Sequence, residues 1–250
     1  MILQPPLIYL SNLGKNILIL LSLKIFEMRY SFGFFLILFI FIISSCAPTR
    51  FVEPLAKHES AISGNFGGPL IHFSGLVIPL PLTAFTYGYG LDSNTTGFIS
   101  IHTTALAFGV FQNEWGINRK ILNQKNIRPA VSCNFVANTA FDKWENQFKF
   151  WPELDLNAYW HLKNPHRLIY TGIGNWFELS KYRAHDELQP VHWIFNPHIG
   201  YRYTHNKWTY FVEGKILAPN ISNQKLVVDY LKPWGEKGAS GIYLGILKKF

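Results

Sequence analysis

Apolar and polar residues alternate at period two through most of the chain beyond residue 59. At the C-terminal end, Ile242, Leu244, Ile246 and Phe250 fall on one face of an extended strand. Gly241, Tyr243, Gly245, Leu247 and Lys249 fall on the other, because successive side chains of a strand point to opposite faces. Lys248 interrupts the apolar face near its end. In 153–161, Leu154, Leu156, Ala158 and Trp160 oppose Glu153, Asp155, Asn157, Tyr159 and His161. In 195–203, Phe195, Ile199, Tyr201 and Tyr203 oppose Asn196, His198, Gly200 and Arg202. In 208–215, Trp208, Tyr210 and Val212 oppose Phe211, Glu213 and Lys215, and in 85–91 Phe85, Tyr87, Tyr89 and Leu91 oppose Thr86, Gly88 and Gly90. An apolar face backed by a charged one suits a membrane barrel with lipid outside and a polar lumen.

Turn residues divide the pattern into ten strands, at 59–68, 82–91, 96–107, 110–118, 129–139, 151–161, 167–177, 193–204, 207–216 and 238–250. Asp92–Thr95, Lys163–His166 and His205-Asn206 read as tight polar turns. Gly68–Pro81, Ala140–Phe150, Leu179–His192 and Leu217–Lys237 read as long connections. The long ones fall on one end of the strands and the short ones on the other, as outer loops and periplasmic turns do; the short third connection, near Phe108-Gly109, is the exception. An even strand number puts both chain ends on the periplasmic side. The prolines of Gly67-Gly68-Pro69 and Val77-Ile78-Pro79-Leu80-Pro81 predict a stiff apolar loop over the barrel mouth that does not pair as a strand. The expected fold is therefore all-β, an antiparallel transmembrane β-barrel of ten strands with eight as the alternative count, preceded by a signal peptide.

The signal is the stretch 28–45. Arg29 gives a positive head and Phe32–Ile43 an apolar run, too short to span a bilayer as a helix. Ile43-Ser44-Ser45-Cys46 resembles the lipobox of bacterial lipoproteins, which implies that Cys46 is lipidated and becomes the mature N-terminus. Residues 1–27 carry a second apolar segment, interrupted by Lys15 and Lys24, and are expected to be a misannotated extension with translation starting at Met28. Residues 46–58, with two prolines and no periodicity, read as a tether, and 59–250 as the barrel domain.

Composition narrows the class further. Aromatic residues make up 16% of the chain and charged residues only 15%, against roughly 25% charged in a soluble domain. The net charge of +8 is spread along the sequence, which fits a surface near anionic lipid headgroups and not a nucleic-acid binder. With Cys46 assigned to lipid, Cys133 stands alone, so neither a disulfide framework nor a cysteine metal site can form.

Glu153, Asp155, His198, Arg202, Glu213 and Lys215, with His102, form the candidate lumen cluster. Charges inside a small barrel must pair, so an internal salt-bridge network is the plain expectation and a narrow polar channel the functional one. His185, Asp186, Glu187 and His192 sit on an expected outer loop and are the candidates for acid/base chemistry, although their spacing matches no metal motif. No nucleophile elbow, phosphate loop or dinucleotide fingerprint is present, so no cofactor is expected.

Taken with the lipobox-like stretch, the segments Gly67–Ile71, Trp151–Trp160, Asn175–Glu178, Leu226–Tyr230 and the ending at Phe250 resemble small outer-membrane β-barrel proteins, of the uncharacterised lipoprotein-type found in Bacteroidetes-like bacteria. The resemblance implies an outer-membrane location, a lipid anchor on the periplasmic side, and recognition of the last strand, ending at Phe250, by the barrel-assembly machinery. It carries no activity and no ligand. The expected role is structural, in interaction, or as a minor pore or carrier. An outer-membrane enzyme acting on lipid or lipid A is the first alternative, and a lipid-tethered soluble periplasmic β-sandwich the second.

Overall fold

The computed structural model describes residues 50–182, 188–223 and 228–250. The segments 1–27 and 28–45, Cys46, and the loop residues His185, Asp186 and Glu187 lie outside the described residues. The strands are β1 (Ser60–Phe73), β2 (Leu76–Pro79), β3 (Leu82–Asp92), β4 (Thr95–His102), β5 (Val110–Leu122), β6 (Ala130–Asp142), β7 (Gln147–His161), β8 (Arg167–Phe177), β9 (Trp193–His205), β10 (Trp208–Ser222) and β11 (Lys237–Lys249). One helical turn, α1 (Thr103–Ala107), links β4 to β5.

Every strand from β3 to β11 pairs antiparallel with the next, and β1 pairs with β3 on one side and β11 on the other. The closing register runs from Ala61↔Lys249 to Pro69↔Gly241. The result is a closed ten-stranded barrel, with β2 lying outside the ring as a flap on the far end of β1. Closure leaves the ring strands no open edge, which is what lets strands cross a hydrocarbon layer. It also removes the soluble β-sandwich alternative.

The alternation sets which way each strand faces. Ile199, Phe85, Tyr210, Val212, Ile242, Leu244 and Ile246 are exposed on the outside, Ile199 to 67%. Their neighbours in sequence, among them His198, Thr86, Glu213 and Tyr243, are buried inside. At the short-turn end, His205-Asn206-Lys207 needs a left-handed residue, and Asn206 supplies it with φ 53°. At the same rim the Phe250 amide donates to the Ser60 carbonyl at 2.9 Å, so both ends of the barrel domain meet there.

Three sequence expectations need correction. The proline-rich stretch Leu76–Pro79 does pair, as β2 against Leu70–Phe73. β2 is an edge strand, where a proline without an amide donor is tolerated. Ala140–Phe150 is mostly strand, because β6 and β7 run on to a turn at 143–146. The strand expected over 96–107 stops at His102, since Thr103 and Thr104 turn their hydroxyls onto Thr83 (2.7 and 2.8 Å) and start α1. The third connection therefore spans 103–109 and is longer than the turn at Phe108-Gly109 expected from the sequence.

Leu244 lies in one outward row with Val212 and Phe66. Leu244→Arg is expected to cost about 2–4 kcal/mol, the penalty for an arginine near the middle of the lipid-facing band, measured by reversible urea unfolding in lipid vesicles. Leu244→Ile should leave stability nearly unchanged.

Candidate functional site: a lumen occupied by the chain's own N-terminal segment

The stretch expected as a plain tether enters the barrel. Residues 50–55 run inside the ring from the short-turn end, with Phe51, Val52 and Leu55 buried. Phe51 and Leu55 pack with Ala61, Phe98 and Val136, and Val52 with Ala130, Tyr159, Leu168 and Tyr170. The backbone of the segment is held by wall side chains. Asn118 donates to the Phe51 carbonyl at 2.9 Å, Ser132 to the Val52 carbonyl at 2.5 Å, and the Leu55 amide donates to Thr96 Oγ1 at 2.7 Å. An apolar segment could bury its peptide groups here only because such partners line the wall.

Two charged latches fix the segment. At the inner end, Arg50 lies between two wall carboxylates. Its Nε and one terminal nitrogen donate to Glu114 at 3.0 Å each, and its two terminal nitrogens donate to Glu153 at 2.7 and 2.8 Å. All three side chains are at most 3% exposed. His102 Nε2 lies 3.1 Å from Glu114. Nearer the rim, Glu53 meets His161 at 2.9 Å and the Arg202 guanidinium. Burial pushes the Glu53 carboxyl up, but the His161 hydrogen bond and Arg202 outweigh it and hold the group at about 2. The segment thus presents a cation to an acidic part of the wall and an anion to a basic part.

The rest of the lumen is a connected polar network. From the Phe51 carbonyl it passes through Asn118 to Asn134 (2.7 Å) and on to Asp155 (2.9 Å). His198 Nε2 bonds Asn157 Oδ1 at 2.8 Å and lies 3.9 Å from Asp155. Glu213 pairs with Lys215 at 2.9 Å and accepts the Tyr170 hydroxyl at 2.8 Å. Toward the long-connection end Trp151 and Trp176 stack with centroids 5.0 Å apart, beside Ile194. Lys149 lies 5.6 and 5.7 Å above the two rings and bonds Glu178 at 2.6 Å. A cavity of about 40 Å³ remains beside the segment at Ser63, Thr86 and Thr209, which is room for water and not for a solute.

All six residues of the expected lumen cluster face inward, but not as one group. Glu153 joins Arg50, Asp155 faces His198, Glu213 joins Lys215, and Arg202 joins Glu53. Of the loop candidates, His185 and Asp186 are outside the described residues, and His192 directs Nδ1 to the Glu178 backbone carbonyl at 2.8 Å. Among the described residues no cluster of three or more His, Cys, Asp or Glu could hold a metal ion.

Arg50, Glu53 and Glu114 were not expected in the site. Their clearest sequence signal is the glycines on the inner face of β3. A Cβ on Gly88 would lie 2.4 Å from the Phe51 ring, and one on Gly90 1.9 Å from the Ala56 carbonyl oxygen. Tyr-Gly-Tyr-Gly, with aromatics outward and nothing inward, marks a wall that something passes.

No protein-family model matches the chain, and no characterised protein matches it in sequence. Among solved structures it is similar to a NanC porin (9% identity, TM-score 0.43, 76% of this chain and 100% of that one). It is also similar to an outer membrane channel from Pseudomonas putida F1 (8%, 0.42, 82% and 100%). A third is the translocator domain of the autotransporter NalP from Neisseria meningitidis (8%, 0.40, 78% and 90%). At these TM-scores the likenesses carry no weight of their own, and the barrel rests on its strand register.

Two outcomes follow from the geometry. Arg50→Ala leaves two buried carboxylates without their cation and should lower stability by about 3–5 kcal/mol, read from urea unfolding in vesicles. Gly90→Val should push the segment out while the barrel persists. Trypsin should then cleave after Arg50, a bond protected in the wild-type protein, and the folded form should still shift mobility on heating.

Proposed function

We propose that the protein is a lipid-anchored barrel of the bacterial outer membrane that serves as a structural or interaction protein or as a minor pore or carrier, and that its N-terminal segment keeps the lumen shut. The observation that carries the reading is the seating of residues 50–55 inside the ring, latched at Arg50 and Glu53. A barrel that fills its own lumen with a strand-free segment holds that lumen closed without a separate plug domain. The outward apolar face and closed register support the membrane assignment. The sequence Ile43–Cys46 supports a lipid at Cys46. Of the four residues weighed for a lipid-modifying enzyme only His192 is described, its Nδ1 bonded to the Glu178 backbone carbonyl at 2.8 Å.

In planar bilayers the wild-type protein should pass little current, and Gly90→Val should open steady conductance. Equal silence from both would contradict the closure. Cys46→Ala should remain in membranes after a carbonate wash and still change mobility on heating; release into the wash would contradict the membrane barrel.

A further inference from the structure

The contact around Arg50 has the form of a receptor. Glu114 takes the Nε edge of the guanidinium and Glu153 takes the edge between the two terminal nitrogens, so that four N–H···O bonds lie along two sides of one planar fork. Planar two-edge recognition of this kind suits a guanidinium and not a compact ammonium or a metal ion. The wall builds the receptor without help from the segment. Glu114 and Asn138 are direct cross-strand partners on β5 and β6, and Glu153 is the partner of Val136, one inward row away. Gly174 leaves room for Glu153, since a Cβ there would lie 3.1 Å from Oε1.

A second feature points to an occupant. Asn138 is 1% exposed, faces the lumen in the same row as Glu114, and its amide nitrogen has no hydrogen-bond partner among the described residues. A buried donor left over beside an occupied receptor matches a guest with one more acceptor than the arginine side chain carries.

We infer that Glu114, Glu153 and Asn138 form a binding site for a guanidinium-bearing solute, which Arg50 occupies in the closed barrel. The inference rests on the closure reading in one respect only, that a guest enters once the segment is displaced. Arg50 is then an internal competitor, and binding of guest and seating of the segment exclude each other.

The test uses the full-length Arg50→Ala protein in detergent micelles with methylguanidinium as the probe. The melting of the heat-modifiable form should rise saturably with the probe. In Arg50→Ala/Glu153→Gln the apparent affinity should fall about tenfold or more, the loss expected from one charge-assisted contact. If Arg50→Ala does not fold unaided, the probe should restore the folded form on dilution from urea. Tetramethylammonium, which has the charge but no N–H donors, should do neither. No saturable shift and no recovery, or equal effects from tetramethylammonium, would overturn the site. Conductance of Gly90→Val reports closure separately, so a barrel that opens yet ignores methylguanidinium would leave closure standing and remove this inference.

Discussion

A carboxylate taken out of water must find a cation or give up its charge, and this barrel buries Glu114 and Glu153 nearly completely. On the wall itself His102 reaches Glu114 at 3.1 Å and Lys215 serves Glu213, but among the described residues Glu153 has no ion-pair partner other than Arg50. Arg50 therefore completes the wall, and the segment that carries it is part of the core and not an appendage. The apolar side chains around it fill the same space that a larger pore would leave as water.

The rest of the lumen is arranged to accept that segment. Asn118, Ser132 and Thr96 of the wall take up its peptide groups, and inward glycines on β3 give it clearance. The polar network continues beyond it to His198, and Gly172 leaves the space His198 fills, since a Cβ there would lie 2.5 Å from Nε2. Lumen packing and closure are thus one property of the sequence. A substitution that widens the lumen also removes a partner from a buried charge or peptide group, which ties stability to the closed state.

The barrel was legible because its signal is repeated. Each strand writes the same alternation, and ten of them fix the facing of nearly every residue in the ring. The ends of the strands were less legible. Past the membrane no lipid face is needed, so β6 and β7 run on, and Leu76–Pro79 pairs where prolines argued against it. The N-terminal segment was misread for a different reason. It has no period, because it makes no ladder, and its partners lie as far as 149 residues away, as Glu53 and Arg202 do. Two cues were present. Arg50-Phe51-Val52-Glu53-Pro54-Leu55 is too apolar for a solvated linker, and the expected lumen set had more acids than cations.

The central claim is that Arg50 and the carboxylate pair hold the segment in place as one coupled unit. A double-mutant cycle between Arg50→Ala and Glu153→Gln, read by equilibrium unfolding in vesicles, tests it most directly. The account predicts a coupling free energy of about 2 kcal/mol or more, toward the upper end for contacting groups in one network. Effects that add to within about 0.5 kcal/mol, as for residues that do not touch, would contradict it and return residues 50–58 to the status of a tether.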